Sequence, residues 1–327
     1  MICLGIESTA HTFGAGIVKG KKVLANAMDS FTTEKGGMIP SDVAEHHIQA
    51  CDEVINKALS QAGITLADID LIAYSRSPGI GHTLRIGAVA AKSLAIRLGV
   101  PIVGVNHCVA HLEIGRLLTK AKDPVLLYAS GANTQVIAYE AGKYRVFGET
   151  LDIGIGNLLD AFARSMGLGF PGGKKIYDLG LKGKNYIELP YRVKGMDVSF
   201  GGLLTNVKQK AKSGEHKIED ICYSLQETVY AMLVEVSERA MAHTGKQELL
   251  LGGGVACNKR LQDMAQKMCK ERGAICFVLD NQFNVDNGAM IAWLGMLEHE
   301  AGNSNMDHGS WGIDPYERTD DIKVNWR

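Results

Sequence analysis

Apolar positions along the chain change period in a recurring order. Residues 2–6 and 13–19 are short, nearly continuous apolar runs, and a third lies near 22–28; such runs, bounded by Gly and polar residues, predict strands. Over 42–62 the spacing lengthens to that of a helix, with Ile48, Cys51, Val54, Ile55, Ala58 and Leu59 recurring on one side. A strand is expected at 70–75, a Gly-punctuated loop over SPGIGHTLRIG (77–87), and a helix over AVAAKSLAIRLG that Gly99 ends. A buried strand follows at 100–105, and Asn106 is placed to cap the next helix.

The pattern then restarts. A shift of 122 positions lays Leu4 on Leu126, Ser8 on Ser130, Ala10 on Ala132, Thr12 on Thr134, Gly20 on Gly142 and Lys21 on Lys143. Both copies read strand, small polar loop, strand, Gly-Lys turn, strand, which points to an internal duplication. The second half closes with a helix over 219–244, a strand at 248–251, a Gly-rich loop, a helix, a strand at 275–279 and a last helix over 287–300. The expected fold class is α/β, with duplicated lobes at 1–122 and 123–300. Periodicity fades after Ala301, so 301–327 is expected to be a polar tail packed back on the first lobe. Two such lobes imply a cleft between them, where facing backbone loops suit a nucleotide.

Composition narrows the class. Hydrophobic residues are 46% and charged residues 22%, as in soluble globular proteins, which excludes a coiled coil, a fibre or a disordered chain. No apolar run reaches the roughly 18 residues of a membrane span, so no membrane association is expected. Glu7 and His11 interrupt the only early apolar stretch, so no leader is expected. The 7 Cys are scattered and contain no C-x-x-C, which points to a reducing cytoplasm rather than disulfides or Cys-ligated zinc. Net charge is only −1, but it is unevenly spread: residues 171–217 carry 10 Lys/Arg against 4 Asp/Glu, and residues 298–321 carry 7 Asp/Glu against one Arg. The basic segment is either a solvated face or a track for a phosphate backbone.

The sharpest chemical signal is Asn106-His107-Cys108-Val109-Ala110-His111. Two His at i and i+4 share a helix face and can hold one metal ion, or are ordinary helix residues. Cys108 stands where a zinc peptidase of the HExxH type has its general base. The loop from Tyr128 through Ala129, Ser130, Gly131 and Ala132 to Thr134 offers hydroxyls and backbone N–H groups to a phosphate, or is a plain hairpin turn. Its counterpart Glu7-Ser8-Thr9-Ala10-His11 adds an acid and a His, so the two loops are expected to do different work. GGGVACN (252–258) and FPGG (170–173) allow close backbone approach, without the spacing of a dinucleotide fingerprint. Asp286 either caps the last helix or ligates a metal, and Asp160 is either a surface helix residue or an acceptor for a ribose hydroxyl.

In order, ESTAHT, NHCVAH, YASGANTQ, FPGGKKI, SFGGLLT, GGGVACN and DNGAMIAW resemble the universal tRNA threonylcarbamoyladenosine transferases, in the archaeal and eukaryotic form found in the KEOPS complex. That family was formerly described as O-sialoglycoprotein endopeptidases. The resemblance covers nearly the whole chain and is weakest after about Gly302. It implies the actin/Hsp70/sugar-kinase (RNase H-like) superfold. It implies transfer of a threonylcarbamoyl group from threonylcarbamoyl-AMP to N6 of adenosine 37 in tRNAs reading ANN codons. It implies one iron or zinc ion held by His107, His111, Tyr128 and Asp286, and an adenylate, or AMP and ATP analogues, contacting residues 128–132, Asp160, Gly173 and Asn258. It implies three KEOPS partners besides tRNA: a small dimerising subunit, an atypical kinase and a kinase regulator. The family places a ribose-binding Glu where this chain has Tyr177, after Gly173-Lys174-Lys175-Ile176, so that contact lacks its carboxylate here.

The donor is already an activated mixed anhydride, so the transfer needs no ATP hydrolysis at the site. The acceptor amine is weakly basic and needs help losing its proton; Glu7 and His11 are the candidate catalytic bases. The competing expectations are a metallopeptidase, which would need a base beside the His pair, a small-molecule kinase of the same superfold, which leaves the His pair unexplained, and a non-catalytic nucleotide sensor.

Overall fold

The computed structural model describes residues 1–34, 37–307 and 312–327. In the first lobe, β1 (Ile2–Glu7), β2 (Thr12–Lys19) and β3 (Lys22–Ser30) form an antiparallel meander. Helix α1 (Pro40–Ala62), β4 (Leu71–Ser77), α2 (Gly81–Leu98), β5 (Ile102–Asn106) and α3 (His107–Leu118) follow. β4 and β5 join in parallel, giving the sheet order β3-β2-β1-β4-β5. The second lobe repeats the plan with β6 (Val125–Ala129), β7 (Thr134–Glu140) and β8 (Lys143–Glu149). Next come α4 (Ile155–Ser165), α5 (Gly173–Gly180), a short hairpin of β9 (Val193–Lys194) and β10 (Asp197–Val198), α6 (Gly201–Ser213) and α7 (Ile218–Thr244). β11 (Glu248–Gly252), α8 (Lys259–Glu271), β12 (Ile275–Val278), α9 (Asn281–Asn284) and α10 (Gly288–Glu300) complete it. The second sheet reads β12-β11-β6-β7-β8, so β6-β7-β8 correspond to β1-β2-β3 and the 122-residue shift is a repeat of strands.

Three apolar cores hold the lobes. One lies under α1 and α2 on the first sheet, with Leu4, Ile17, Val54 and Ala91 buried. Another fills the second lobe around α4 and α7, with Leu158, Phe162 and Leu233. The third lies between the lobes and takes Val103, Leu112, Leu126, Leu250 and Leu294 from both.

Three expectations change. The segment read as a loop over 77–87 is helical from Gly81. Gly87 is there for packing: a Cβ on it would sit 2.0 Å from Ser8 Oγ, so its bare backbone lets α2 close on the first polar loop. The last helix, placed in the second lobe by sequence order, lies on the first sheet. A Cβ on Gly5 would sit 2.2 Å from Ala292 N, and one on Gly16 2.0 Å from Ala289 N. Those distances are possible only between bare backbones, so glycines on both surfaces bring α10 down onto β1 and β2. The tail touches the first lobe, where Asp314 N donates to Arg76 O at 3.0 Å and Tyr74 OH to Gly312 O at 2.7 Å. It also reaches the second, where Val146 N donates to Asp320 Oδ1 at 2.8 Å and Arg318 pairs with Glu149 at 3.0 Å.

Candidate functional site

Strand β5 ends at Asn106, whose side chain accepts from Cys108 N at 3.0 Å and Val109 N at 3.1 Å. This cap starts α3 on the next residue, so His107 and His111 fall one turn apart on the buried face, 2% and 1% exposed. Gly115 lets α3 approach the second sheet, because a Cβ there would meet Leu250 Cδ2 at 2.2 Å. The His pair is thereby set beside Tyr128 at the end of β6. The fourth element is the start of α10. Its cap is Asn287, which accepts from Met290 N at 3.0 Å, so Asp286 is released from capping and faces the His pair.

The polar atoms converge. His107 Nε2 lies 2.8 Å from Tyr128 OH and 3.3 Å from Asp286 Oδ1, and His111 Nε2 lies 3.4 Å from the same oxygen. One ligand atom from each of His107, His111 and Asp286 falls within a 4.8 Å group, the one such cluster among the described residues. Burial works against an imidazolium at His107, yet Glu7, Tyr128 and Asp286 together hold its pKa well above the ordinary value. Burial lowers His111, and burial keeps the Tyr128 phenol protonated. Asp286 is held well below the usual carboxylate range by the two His, against the effect of burial. The cage thus attracts one positive charge. Two imidazole nitrogens, a carboxylate and a phenol oxygen fit iron or zinc by donor type.

Glu7 is engaged through both of its carboxylate oxygens. It is fully buried; one oxygen takes the Thr9 backbone N–H at 2.7 Å and the Thr9 hydroxyl, and the other sits 2.9 Å from His107 Nδ1. The carboxylate therefore accepts the Nδ1 proton of His107 and turns Nε2 toward Tyr128 and Asp286, where it offers a lone pair to a cation once the imidazolium gives up its second proton. These contacts support an orienting role for Glu7 beside the catalytic one expected from the sequence. Thr9, which was not singled out in the sequence, is its partner, and no spacing rule signals it. His11 remains in the cleft, half-buried, its ring edge-on to Phe170 at 5.3 Å.

The residues expected to contact an adenylate lie on the second lobe. Ser130 N bonds Asn133 O at 2.9 Å, closing a tight turn with Gly131 and Ala132 exposed at its tip. That turn rests on the start of α4, where Gly156 N donates to Ser130 O at 3.0 Å and Asn157 N to Gly131 O at 2.9 Å. Asp160, on α4, accepts from Gly172 N at 2.6 Å through one oxygen, and burial raises its pKa. Gly173 opens α5, and Tyr177 lies half-buried along it. Asn258 is less available: its oxygen caps α8, accepting from Arg260 N at 2.9 Å, and its amide donates to Gln226 at 3.1 Å. The lobes also meet at a β-bridge between Thr33 and Phe170.

Residues 22–293 match the family model of tRNA N6-adenosine threonylcarbamoyltransferase (TsaD). A protein of that name from Thermococcus kodakarensis is 55% identical over 326 residues, covering 100% of both chains, and one from Thermofilum pendens is 49% identical over 99% of this chain and 96% of its own. A probable bifunctional tRNA threonylcarbamoyladenosine biosynthesis protein from Methanosarcina mazei is 51% identical over 99% of this chain, which spans 59% of that longer relative. Among solved structures, T. kodakarensis HypF aligns with a TM-score of 0.63 at 16% identity, over 94% of this chain and 49% of its own. The activator of 2-hydroxyisocaproyl-CoA dehydratase from Clostridium difficile aligns at 0.59 and 13%, over 92% of this chain and 97% of its own. At such identities these two show the fold alone, an actin-like pair of lobes. With a family model over most of its length and relatives above half identity from end to end, the chain belongs to the tRNA N6-adenosine threonylcarbamoyltransferase family.

Proposed function

We infer that the chain moves a threonylcarbamoyl group from threonylcarbamoyl-AMP to N6 of adenosine 37 in tRNAs reading ANN codons. The observation that carries the mechanism is the buried His107–His111–Asp286–Tyr128 cage at the end of β6, directly before the exposed Ser130–Ala132 turn. In the reaction the amine nitrogen bonds the carbamoyl carbon, the bond from that carbon to the phosphate oxygen breaks, AMP leaves and N6 gives up a proton. His107, His111, Tyr128 and Asp286 would hold an iron or zinc ion, which would supply Lewis-acid polarisation of the carbamoyl carbonyl. The protein's own groups do the rest. Glu7 and Thr9 fix the His107 ring, and the backbone N–H groups of Gly131 and Ala132 at the exposed turn tip are offered to the phosphate. The second oxygen of Asp160 accepts a ribose hydroxyl, with Gly173 and the Gly-rich segment 252–258 before α8 around the base. His11 takes the amine proton from the cleft side.

The resemblance further supports cytoplasmic work with the KEOPS subunits: the small dimerising subunit, the atypical kinase and its regulator. No described helix is long and apolar enough to cross a membrane. A metallopeptidase reading loses its last support, since Glu7 is locked on His107 and Cys108 follows that His.

The test combines purified chain, threonylcarbamoyl-AMP and an unmodified tRNA transcript, with and without those subunits, and reads nucleoside masses after digestion. A threonylcarbamoyl mass gain on adenosine 37 is expected. His107→Ala and His111→Ala are expected to lose both bound metal and transfer while keeping the wild-type circular dichroism. Full transfer by metal-free His111→Ala sinks the metal's role, and no gain with every subunit present sinks the transfer itself.

A further inference from the structure

The second lobe carries a groove of about 590 Å³ outside the cleft, between the segment after β8 and the β9–β10 hairpin. Its walls include Leu151, Tyr191, Arg192, Lys194, Asp197 and Ser199, and the Asp197 carboxylate accepts the Glu149 backbone N–H at 3.0 Å. Leu151 is 58% exposed and Tyr191 47%, so both present apolar surface beside two cations. The hairpin that presents the cations is anchored: Gly195, in the left-handed region at φ 64°, gives its carbonyl to Arg239 at 2.6 Å. Tyr191 OH donates to Glu235 at 2.5 Å, which holds the ring in place.

Arg192 and Lys194 form no ion pair among the described residues. Neither does any other Lys or Arg of the basic segment 171–217, while ten cations elsewhere in the chain are paired with carboxylates. Acids are not scarce in this protein, yet Asp197 in the groove wall forms an ion pair with neither cation. The groove also connects to the site. Leu151 N bonds Val198 O at 2.8 Å on the hairpin, and Thr150 N bonds Thr134 O at 3.0 Å on the turn that faces the cleft. A strand leaving the cleft past the Ser130–Thr134 turn therefore runs onto Leu151 and the hairpin. Two free cations beside an aromatic face and an aliphatic side chain match the phosphates and bases of a single strand, and match an apolar small molecule poorly.

We propose that this groove holds the RNA nucleotides flanking the target adenosine, with Arg192 and Lys194 on their phosphates and the Tyr191 ring against a base. The assignment rests on the transfer reading above and adds to it the path of the acceptor strand.

The test uses the full chain and a fluorescently labelled unmodified tRNA transcript, with anisotropy read over a salt series. The double variant Arg192→Gln/Lys194→Gln is expected to bind about tenfold more weakly at low salt. Its slope of log affinity against log salt falls by about 1.4, two single-strand phosphate contacts at about 0.7 each. Tyr191→Ala weakens binding, whereas Tyr191→Phe, which keeps the ring and loses only the bond to Glu235, retains it. AMP binding in the cleft stays at the wild-type value in all three, showing an intact fold. Unchanged tRNA affinity and slope in the double variant overturn the proposal and leave the groove for an acidic protein partner. A wild-type chain that modifies tRNA while the double variant keeps its KM for tRNA overturns the groove but spares the transfer. A wild-type chain that neither binds nor modifies tRNA, with all subunits present, brings down both.

Discussion

Replacing Glu7 by Gln separates an orienting carboxylate from a catalytic one. The substitution keeps the volume of a fully buried side chain and the two Thr9 contacts, which a Gln carbonyl can still accept. The remaining Gln amide then faces His107 Nδ1, which Glu7 contacts at 2.9 Å in the wild type. An NH₂ group donates, so Nδ1 must become the acceptor and the ring proton must move to Nε2. That proton points at Tyr128 OH, 2.8 Å away, and into the space between His107 and Asp286. The lone pair meant for a metal is lost. Losing the partner that orients a metal-bound His costs about 10- to 100-fold in affinity, or roughly 1.4–2.7 kcal/mol. Because both side chains are buried, the larger figure is expected here. Competition against a chromophoric chelator measures zinc affinity directly, with no need for activity. Transfer measured at saturating metal then divides the two roles: an orienting Glu7 predicts that excess metal largely restores kcat, whereas a general base predicts that kcat stays low with the metal fully bound. Unchanged metal affinity in a folded Glu7→Gln protein would refute the orienting role outright.

Two further outcomes follow from packing and charge. Gly16→Ala puts a Cβ 2.0 Å from Ala289 N, so α10 must retreat by more than an ångström from the first sheet. Backbone displacement of this kind costs about 3 kcal/mol, and it carries Asp286 out of coordinating range, where ligand distances tolerate only about 0.2 Å. Calorimetry and metal analysis should show a lower Tm and substoichiometric metal together; a stable, fully loaded Gly16→Ala protein contradicts the described helix–sheet contact. Glu298, at the end of α10, is pushed up to about 7 by burial, with Glu317 adding to the rise and Asn303 opposing it. Its folded pKa lies above its unfolded value near 4.5, so ionisation destabilises the fold: no cost below about pH 4.5, a growing cost up to pH 7, and a full cost above it of order 3 kcal/mol. Glu298→Gln should therefore gain stability over the wild type as pH rises from 5 to 8 in denaturant titrations, and a gap that does not change with pH rules out a strained carboxylate.

Those two predictions also mark where the sequence was readable. The repeated meander was legible because β1-β2-β3 and β6-β7-β8 share a fixed offset, and Thr12 and Thr134 each open the second strand of their copy. The His pair and the Asn106 cap were legible because helix spacing and capping act within a few residues. The role of Glu7 was not, since a carboxylate in a polar loop reads as a base until its neighbours are known. Here Thr9 and a His 100 residues away fill both oxygens. The start of α2 is hidden because Gly81 and Gly87 read as loop, although the bare backbone at Gly87 serves contact with Ser8. The site itself depends on the least local event of all. His111 and Asp286 are 175 residues apart, and they meet because α10 leaves the second lobe and lies on the first sheet. Its trace in the sequence is a set of glycines facing one another from β1, β2 and the start of α10: Gly5, Gly16 and Gly288. Read singly, each is a weak strand or helix residue. Read together they specify two surfaces that can touch backbone to backbone, and that contact delivers Asp286 to the two histidines.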